Sequence, residues 1–355
     1  MMKRTLAIFL ALLILAGCVP AFADDTLPST TLFRVGQLAE VESYGLQRAG
    51  DYAYRMLAVG DIYRLNPQDG KVEKLTTVPA SVSYDKKEYD KLSDEKKKAI
   101  CSSVDALIDS YGENTLYGIN FKTYRIGTID EAGVHWLDVT LEAWANEYGS
   151  LRLVDTYIEG NMLYSFHDLA AGKDWNLAPC EGGILKVDLT TGEVSRTAIP
   201  ELYDICYGGP GKAMTLCRRE EDGRLYVQMY DLEADAFEGE PIFLPDDMAV
   251  TEANHDVEVL FDPETDEPLD VSYTGQSRTE VNEVARGPIY DPETGMIAII
   301  GAQNLLIKTA DGAWKAYRPQ SGGWIEIIYG AHGWFFPNKK LIVECGYDYL
   351  IDVQQ

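Results

Sequence analysis

The sequence predicts an all-β fold of propeller type, with seven blades, six as the alternative count, and one short helical insertion near residues 93–102. Three observations predict it. A small or polar turn residue followed by an apolar residue and tyrosine recurs at Gly60-Asp61-Ile62-Tyr63, Asn114-Thr115-Leu116-Tyr117, Gly160-Asn161-Met162-Leu163-Tyr164 and Gly223-Arg224-Leu225-Tyr226, with tyrosine spacings of 54, 47 and 62 residues. Tight-turn sequences recur as Asn66-Pro67-Gln68-Asp69-Gly70, Asp188-Leu189-Thr190-Thr191-Gly192, Asp262-Pro263-Glu264-Thr265-Asp266 and Asp291-Pro292-Glu293-Thr294-Gly295. In such turns Asp or Asn caps through its side chain, Pro presets φ and Gly takes the left-handed position. The runs between turns are short, as in Ile184 to Val187, and Leu225 to Tyr230 is apolar or aromatic on both alternating faces, as a strand covered on both sides must be.

Taken in chain order, the first element is a leader. Met1-Met2-Lys3-Arg4 is basic, and Thr5 to Gly17 is uncharged, apolar and too short to span a bilayer, which is the layout of a secretory signal over residues 1–23. Ala21-Phe22-Ala23 offers a small-x-small cleavage site before Asp24-Asp25, leaving 24–355 as a single propeller domain. Leu15-Ala16-Gly17-Cys18 is the competing reading, a lipobox in which Cys18 is acylated as the mature N-terminus. The chain is therefore expected outside the cytoplasm, extracellular or held at the cell envelope, with a possible lipid anchor and no transmembrane helix.

The blades are set near 50–78, 103–142, 151–199, 202–245, 254–284, 285–319 and 321–354, with Thr31 to Val35 completing the last one and closing the ring. The fifth has the thinnest hydrophobic pattern, with only 29 residues between the turns at 262 and 291. Between the first two blades, Ser93 caps a helix whose first turn carries Asp94 and Glu95, and a strand is expected from Val104 to Ile108. Cys18 aside, five scattered cysteines are not a disulfide framework. A turn at Gly208-Gly209-Pro210-Gly211 sets Cys206 opposite Ala213 rather than Cys217, so buried free thiols are expected.

The apolar-Tyr and Asp-x-x-Thr-Gly pattern resembles bacterial exported propellers of the YVTN, TolB-like and quinoprotein-like repeat class over nearly all of residues 24–355. The resemblance rests on structural turns and implies the fold.

Composition narrows the chemistry. The 355 residues carry 31 Lys and Arg against 57 Asp and Glu, a net charge of −26, which repels nucleic-acid phosphates and excludes a nucleic-acid partner. Four histidines, none within ligand spacing of another, exclude a zinc motif. Gly-x-Ser-x-Gly is absent, and Gly208-Gly209-Pro210-Gly211-Lys212-Ala213 lacks the leading Gly and the Ser/Thr of a phosphate loop. Thr309-Ala310-Asp311-Gly312-Ala313-Trp314 is one residue short of an Asp-box, and Trp does not follow the turns as a quinone-binding repeat requires. No catalytic residue, metal or cofactor is expected.

The remaining candidates form a ligand-binding set: His167, Asp168, Lys173, Asp174 and Trp175 in a long loop of the third blade, and His332 and Trp334 near the last blade's first strand. An aromatic plate with flanking polar groups holds a sugar or a peptide side chain by stacking and hydrogen bonding. The functional expectation is a non-catalytic exported propeller that binds a small-molecule, glycan or protein ligand at the cell envelope. The alternatives are an enzyme acting on glycosides or lactones through channel carboxylates, and a structural module of a larger envelope assembly.

Overall fold

A computed structural model describes residues 29–31, 43–79, 91–142, 156–168, 182–245, 248–249, 257–261, 268–273, 282–301, 305–308, 312–317, 332–345 and 347–353. The leader, with Ala23 and Cys18, lies outside them. Strand β1 is Ser29–Thr31. The first sheet holds β2 (Ser43–Ala49), β3 (Tyr52–Leu57), β4 (Asp61–Leu65) and β5 (Val72–Thr77), and helix α1 (Asp94–Ile100) follows. The second holds β6 (Ala106–Tyr111), β7 (Leu116–Asn120), β8 (Arg125–Asp130) and β9 (Gly133–Thr140). The third holds β10 (Thr156–Glu159), β11 (Met162–Asp168), β12 (Gly182–Asp188) and β13 (Val194–Ala198). The fourth holds β14 (Leu202–Gly209), β15 (Lys212–Arg218), β16 (Leu225–Asp231) and β17 (Ala236–Phe243). After β18 (Met248–Ala249), β19 (Val257–Phe261) and β20 (Pro268–Tyr273) comes the fifth, β21 (Asn282–Tyr290), β22 (Ile297–Gly301), β23 (Leu305–Lys308) and β24 (Trp314–Tyr317). The sixth is β25 (His332–Phe336), β26 (Lys340–Cys345) and β27 (Tyr347–Asp352), completed at its outer edge by β1.

The protein is a β-propeller, and its core explains why the sheets form a ring. Successive residues of a strand point to opposite faces, so a strand between two neighbours must be apolar on both. On β6, Ala106 and Ile108 join the cluster shared with the third sheet, whereas Leu107 joins the cluster shared with the first. The same division repeats around the ring, between the third and fourth sheets, the fourth and fifth, and the fifth and sixth. Leu46, Ala53 and Leu65 of the first sheet then pack on Trp334, Phe336 and Ile342 of the sixth. Each buried Leu, Ile or Phe contributes roughly 1.5–3 kcal/mol, so these intersheet layers are the main source of stability.

The described residues thus contain six sets of four strands, three of them joined in one twelve-stranded sheet, together with the β19–β20 hairpin. The stretch assigned to a fifth of seven blades contains the β19–β20 hairpin, whose strands pair with each other alone among the described residues. Gly160 and Asn114 lie in turns between first and second strands, Gly60 and Gly223 in turns between second and third. One motif marks two kinds of turn, so its spacing is not the blade length.

Closure by the N-terminal strand holds, at Ser29–Thr31 rather than 31–35, with Ser29 opposite Ile351 and Thr31 opposite Tyr349. Helix α1 has its expected cap, Ser93 accepting from the Lys96 N–H, and Asn120 Nδ2 fastens its C-terminal end by donating to the Ile100 carbonyl at 2.8 Å. The turns at Gly70, Gly192 and Gly295 share one form, each glycine N–H returning to the carbonyl four residues earlier, with φ of 69°, 76° and 72°. Cys206 lies opposite Met214, not Ala213, because the turn is made by Pro210 and Gly211, with Gly209 opposite Lys212, and a bulge between Tyr207 and Gly209 then takes up one residue. Cys101, Cys206 and Cys217 are free thiols.

Candidate functional site

The first strand of each sheet lines the axis, and its last residues before the tight turn define the mouth at that end. Three of these strands bond laterally, β2 to β6 and β6 to β10, so the channel is closed along that arc. What fills the axis is a column of side chains. The Arg48 guanidinium lies between two rings, 4.8 Å from the centre of Tyr111 and 4.7 Å from that of Phe336. Its Nε donates to the Gly50 carbonyl at 2.7 Å and its Nη1 to the Phe335 carbonyl. Tyr111 stacks on Tyr207 at 4.1 Å between centres and 18° between planes, and Tyr157 meets both edge-on at 5.7 and 5.9 Å. The column therefore joins the sixth, first, second, third and fourth sheets.

Two residues before Tyr111 on β6 sits Asp109, 8% exposed. Its Oδ1 accepts the Arg48 backbone N–H at 2.6 Å and its Oδ2 the Trp334 indole N–H at 2.8 Å. Burial raises its carboxyl to about 7, against the lowering pull of those two donors and of the Arg48 charge. Burial likewise pushes the Tyr111 and Tyr157 phenols well up. Among the described residues the buried Tyr157 hydroxyl has no hydrogen-bond partner.

At the rim, Glu159 of β10 reaches the fourth sheet. Its Oε2 accepts the Gly211 N–H at 3.0 Å and its Oε1 the Tyr207 hydroxyl at 3.4 Å. Partial burial raises the Glu159 carboxyl, with both donors opposing, and burial together with that carboxylate pushes Tyr207 up to about 12. Arg48, Tyr111, Glu159 and Tyr207 are each partly exposed. Beside them, between the fourth and fifth sheets, a shallow depression of about 480 Å³ is walled by Gly208, Gly209, Met229, Tyr290 and Pro292, with the Lys212–Glu238 ion pair on its edge.

Of the sequence candidates, Trp334 is the one whose side chain is among the described residues, and it stands in this centre as core. It is 3% exposed and committed to Asp109, so it belongs to the sheet interior, as Trp334-Phe335-Phe336 in a strand dictates, and not to a ligand surface. His167 and Asp168 end β11 opposite Gly183 and Gly182, and His332 opens β25 opposite Glu344; their side chains lie outside the described residues. Lys173, Asp174 and Trp175 lie outside them entirely.

Arg48, Asp109, Tyr111, Glu159 and Tyr207 escape a search for loop residues because they stand on strands. Their signal is position: each lies within three residues of the glycine that turns a first strand into a second, at Gly50, Gly112, Gly160 and Gly208-Gly209. Among the described residues no three His, Cys, Asp or Glu side chains gather to hold a metal ion, and no helix is long and apolar enough to cross a membrane.

No family model matches the chain, and no curated protein matches it. Solved structures do. A gluconolactonase from Xanthomonas campestris is 10% identical with a TM-score of 0.45, covering 94% of this chain and 92% of its own. A putative gluconolactonase is 9% identical with a TM-score of 0.43, covering 94% and 96%. Oligogalacturonate lyase from Vibrio parahaemolyticus is 9% identical with a TM-score of 0.42, covering 94% and 95%. The likeness is one of overall fold.

Proposed function

We propose that the protein is an exported, non-catalytic binding module that takes a glycan or peptide ligand at the axial mouth on its tight-turn face. The observation that carries the reading is the partly exposed set at that mouth: a stacked tyrosine pair flanked by one guanidinium and one carboxylate. An aromatic pair gives apolar contact at small entropic cost, and the Glu159 carboxylate accepts from a ligand hydroxyl or amide. Below the rim, Asp109 has each oxygen engaged by an N–H of the fold, which suits a carboxyl that holds sheets together. Export rests on the leader-like residues 1–23.

The test is a glycan and peptide array probed with residues 24–355 and with two variants. Glu159→Gln is expected to weaken the best array ligand by about tenfold or more, the loss of one charge-assisted hydrogen bond, and Trp175→Ala to leave it unchanged. Loss in Trp175→Ala alone moves the site to the third-sheet loop and overturns the reading.

A second reading is favoured by the same residue. A half-buried glutamic acid with a raised pKa, beside a tyrosine hydroxyl, holds a proton that can be given to a departing alkoxide, which is the acid half of lactone or glycoside cleavage. Turnover of aldonolactones or oligouronides that disappears in Glu159→Gln would establish this enzyme reading in place of binding alone.

A further inference from the structure

We infer that the Asp109 carboxyl makes the axial plug responsive to proton concentration: with its proton the seam between the last sheet and the first stays closed, and without it the Arg48–Tyr111–Tyr207 column over the mouth loosens. The inference concerns regulation of the mouth and holds whether that mouth binds or catalyses.

The geometry is a three-way junction. Asp109 belongs to the second sheet, its Oδ1 partner Arg48 to the first and its Oδ2 partner Trp334 to the sixth. These are the sheets that meet where the ring closes on itself, so one carboxyl ties both sides of the seam. A buried carboxylate is tolerable when a cation pairs with it, but the Arg48 guanidinium is spent elsewhere, on the Phe335 and Gly50 carbonyls and on the Tyr111 and Phe336 rings. Two neutral N–H donors are a partial answer to a full charge. Ionisation therefore leaves a charge whose cheapest relief is water, and water reaches it by parting the column above. The described titratable groups on the strands around Asp109 are Arg48 on β2, Tyr111 on β6, Tyr157 and Glu159 on β10, and Tyr203, Asp204, Cys206 and Tyr207 on β14, where Asp204 Oδ1 accepts the Ile205 N–H. Of these Tyr111, Tyr157, Cys206 and Tyr207 are raised by burial and stay neutral through the physiological range. Glu159 titrates at the rim, exposed to solvent on one side. Burial holds Asp109 at about 7, inside the range a cell envelope meets.

The test uses residues 24–355. The Trp334 indole N–H resonance, assigned by its loss in Trp334→Phe, is followed from pH 5 to 9, and amide exchange is measured at both ends. The resonance is expected to shift with a midpoint near 7, and protection of β6 and β25 to fall by about tenfold or more on the alkaline side, the ratio that one pKa unit carries. Asp109→Asn should abolish both effects, and Glu159→Gln and His332→Gln should leave both in place. If Asp109→Asn does not fold, the wild-type titration read beside the other two variants still decides. A resonance flat across the range, or a shift that vanishes in Glu159→Gln or His332→Gln, overturns the inference.

Discussion

Trp334→Phe isolates the bond that ties the sixth sheet to the second. Phenylalanine keeps a ring in the layer formed by Leu46, Ala53, Leu65, Phe336 and Ile342 but removes the indole N–H that Asp109 Oδ2 accepts at 2.8 Å. Loss of a buried hydrogen bond to an ionisable partner costs about 1.5–3 kcal/mol. The smaller ring forfeits about 1 kcal/mol of burial at a site 3% exposed. The expected total is about 3 kcal/mol, read in urea as a lower midpoint with an unchanged slope. Trp314→Phe is the internal comparison: its indole donates to the Phe243 carbonyl at 3.1 Å from a half-buried position, and the cost should be about 1 kcal/mol. In Asp109→Asn the effect of Trp334→Phe should shrink by about 1 kcal/mol or more, because the two residues share one interaction. A cost below about 1 kcal/mol in the Asp109 background, or strict additivity in the pair, would refute the seam as an energetic junction.

The pH dependence has a defined sign. Asp109 is raised from 3.8 to about 7 in the folded chain, so its contribution is greatest near pH 4 and is lost as pH rises through 7, by at most about 4 kcal/mol; calorimetry of wild type against Asp109→Asn reads the difference. Tyr157→Phe removes a hydroxyl that has no partner among the described residues and should leave stability unchanged or raise it by about 1 kcal/mol in urea titration. Gly50→Ala should cost about 2 kcal/mol or more, because residue 50 has φ of +55° and its new Cβ would lie 1.9 Å from Asn114 Oδ1. Cys217, fully buried with a thiol raised to about 11, should resist alkylation at pH 8 until urea unfolds the chain, as mass spectrometry would show.

The ring was legible because its turns advertise themselves. Asp188 and Gly192 close a five-residue turn by the same Asx and left-handed devices that their sequence implies, and Leu225–Asp231 has inward residues on both faces as its composition requires. The sheet count was less legible, because Gly60 and Gly160 introduce similar apolar-Tyr runs in different turns of their sheets. The centre was hidden for another reason. Asp109 and Arg48 are 61 residues apart, and Asp109 and Trp334 are 225 apart. A polar residue in an apolar strand reads locally as a defect, and only closure of the ring shows that it has partners on two other sheets. Trp175, chosen for its loop, stands on chemistry alone, since a long connection carries no signal of where its side chains end up.

The pairing of β1 with β27 sets the order of events when the chain folds. Ser29 meets Ile351, so the first strand to leave the ribosome waits for nearly the last before it has a neighbour. Closing a loop of that length costs roughly 2 kcal/mol more chain entropy than closing a sheet of fifty residues. Most other strand pairs are short hairpins, and the ring's high contact order is concentrated in this one step. Until it happens, β27 offers an unpaired edge that another chain can occupy. A proteolytic cut between residues 31 and 43 would spare every described strand and still convert the closing strand from a tethered partner into a dissociable peptide, turning ring integrity into a matter of concentration.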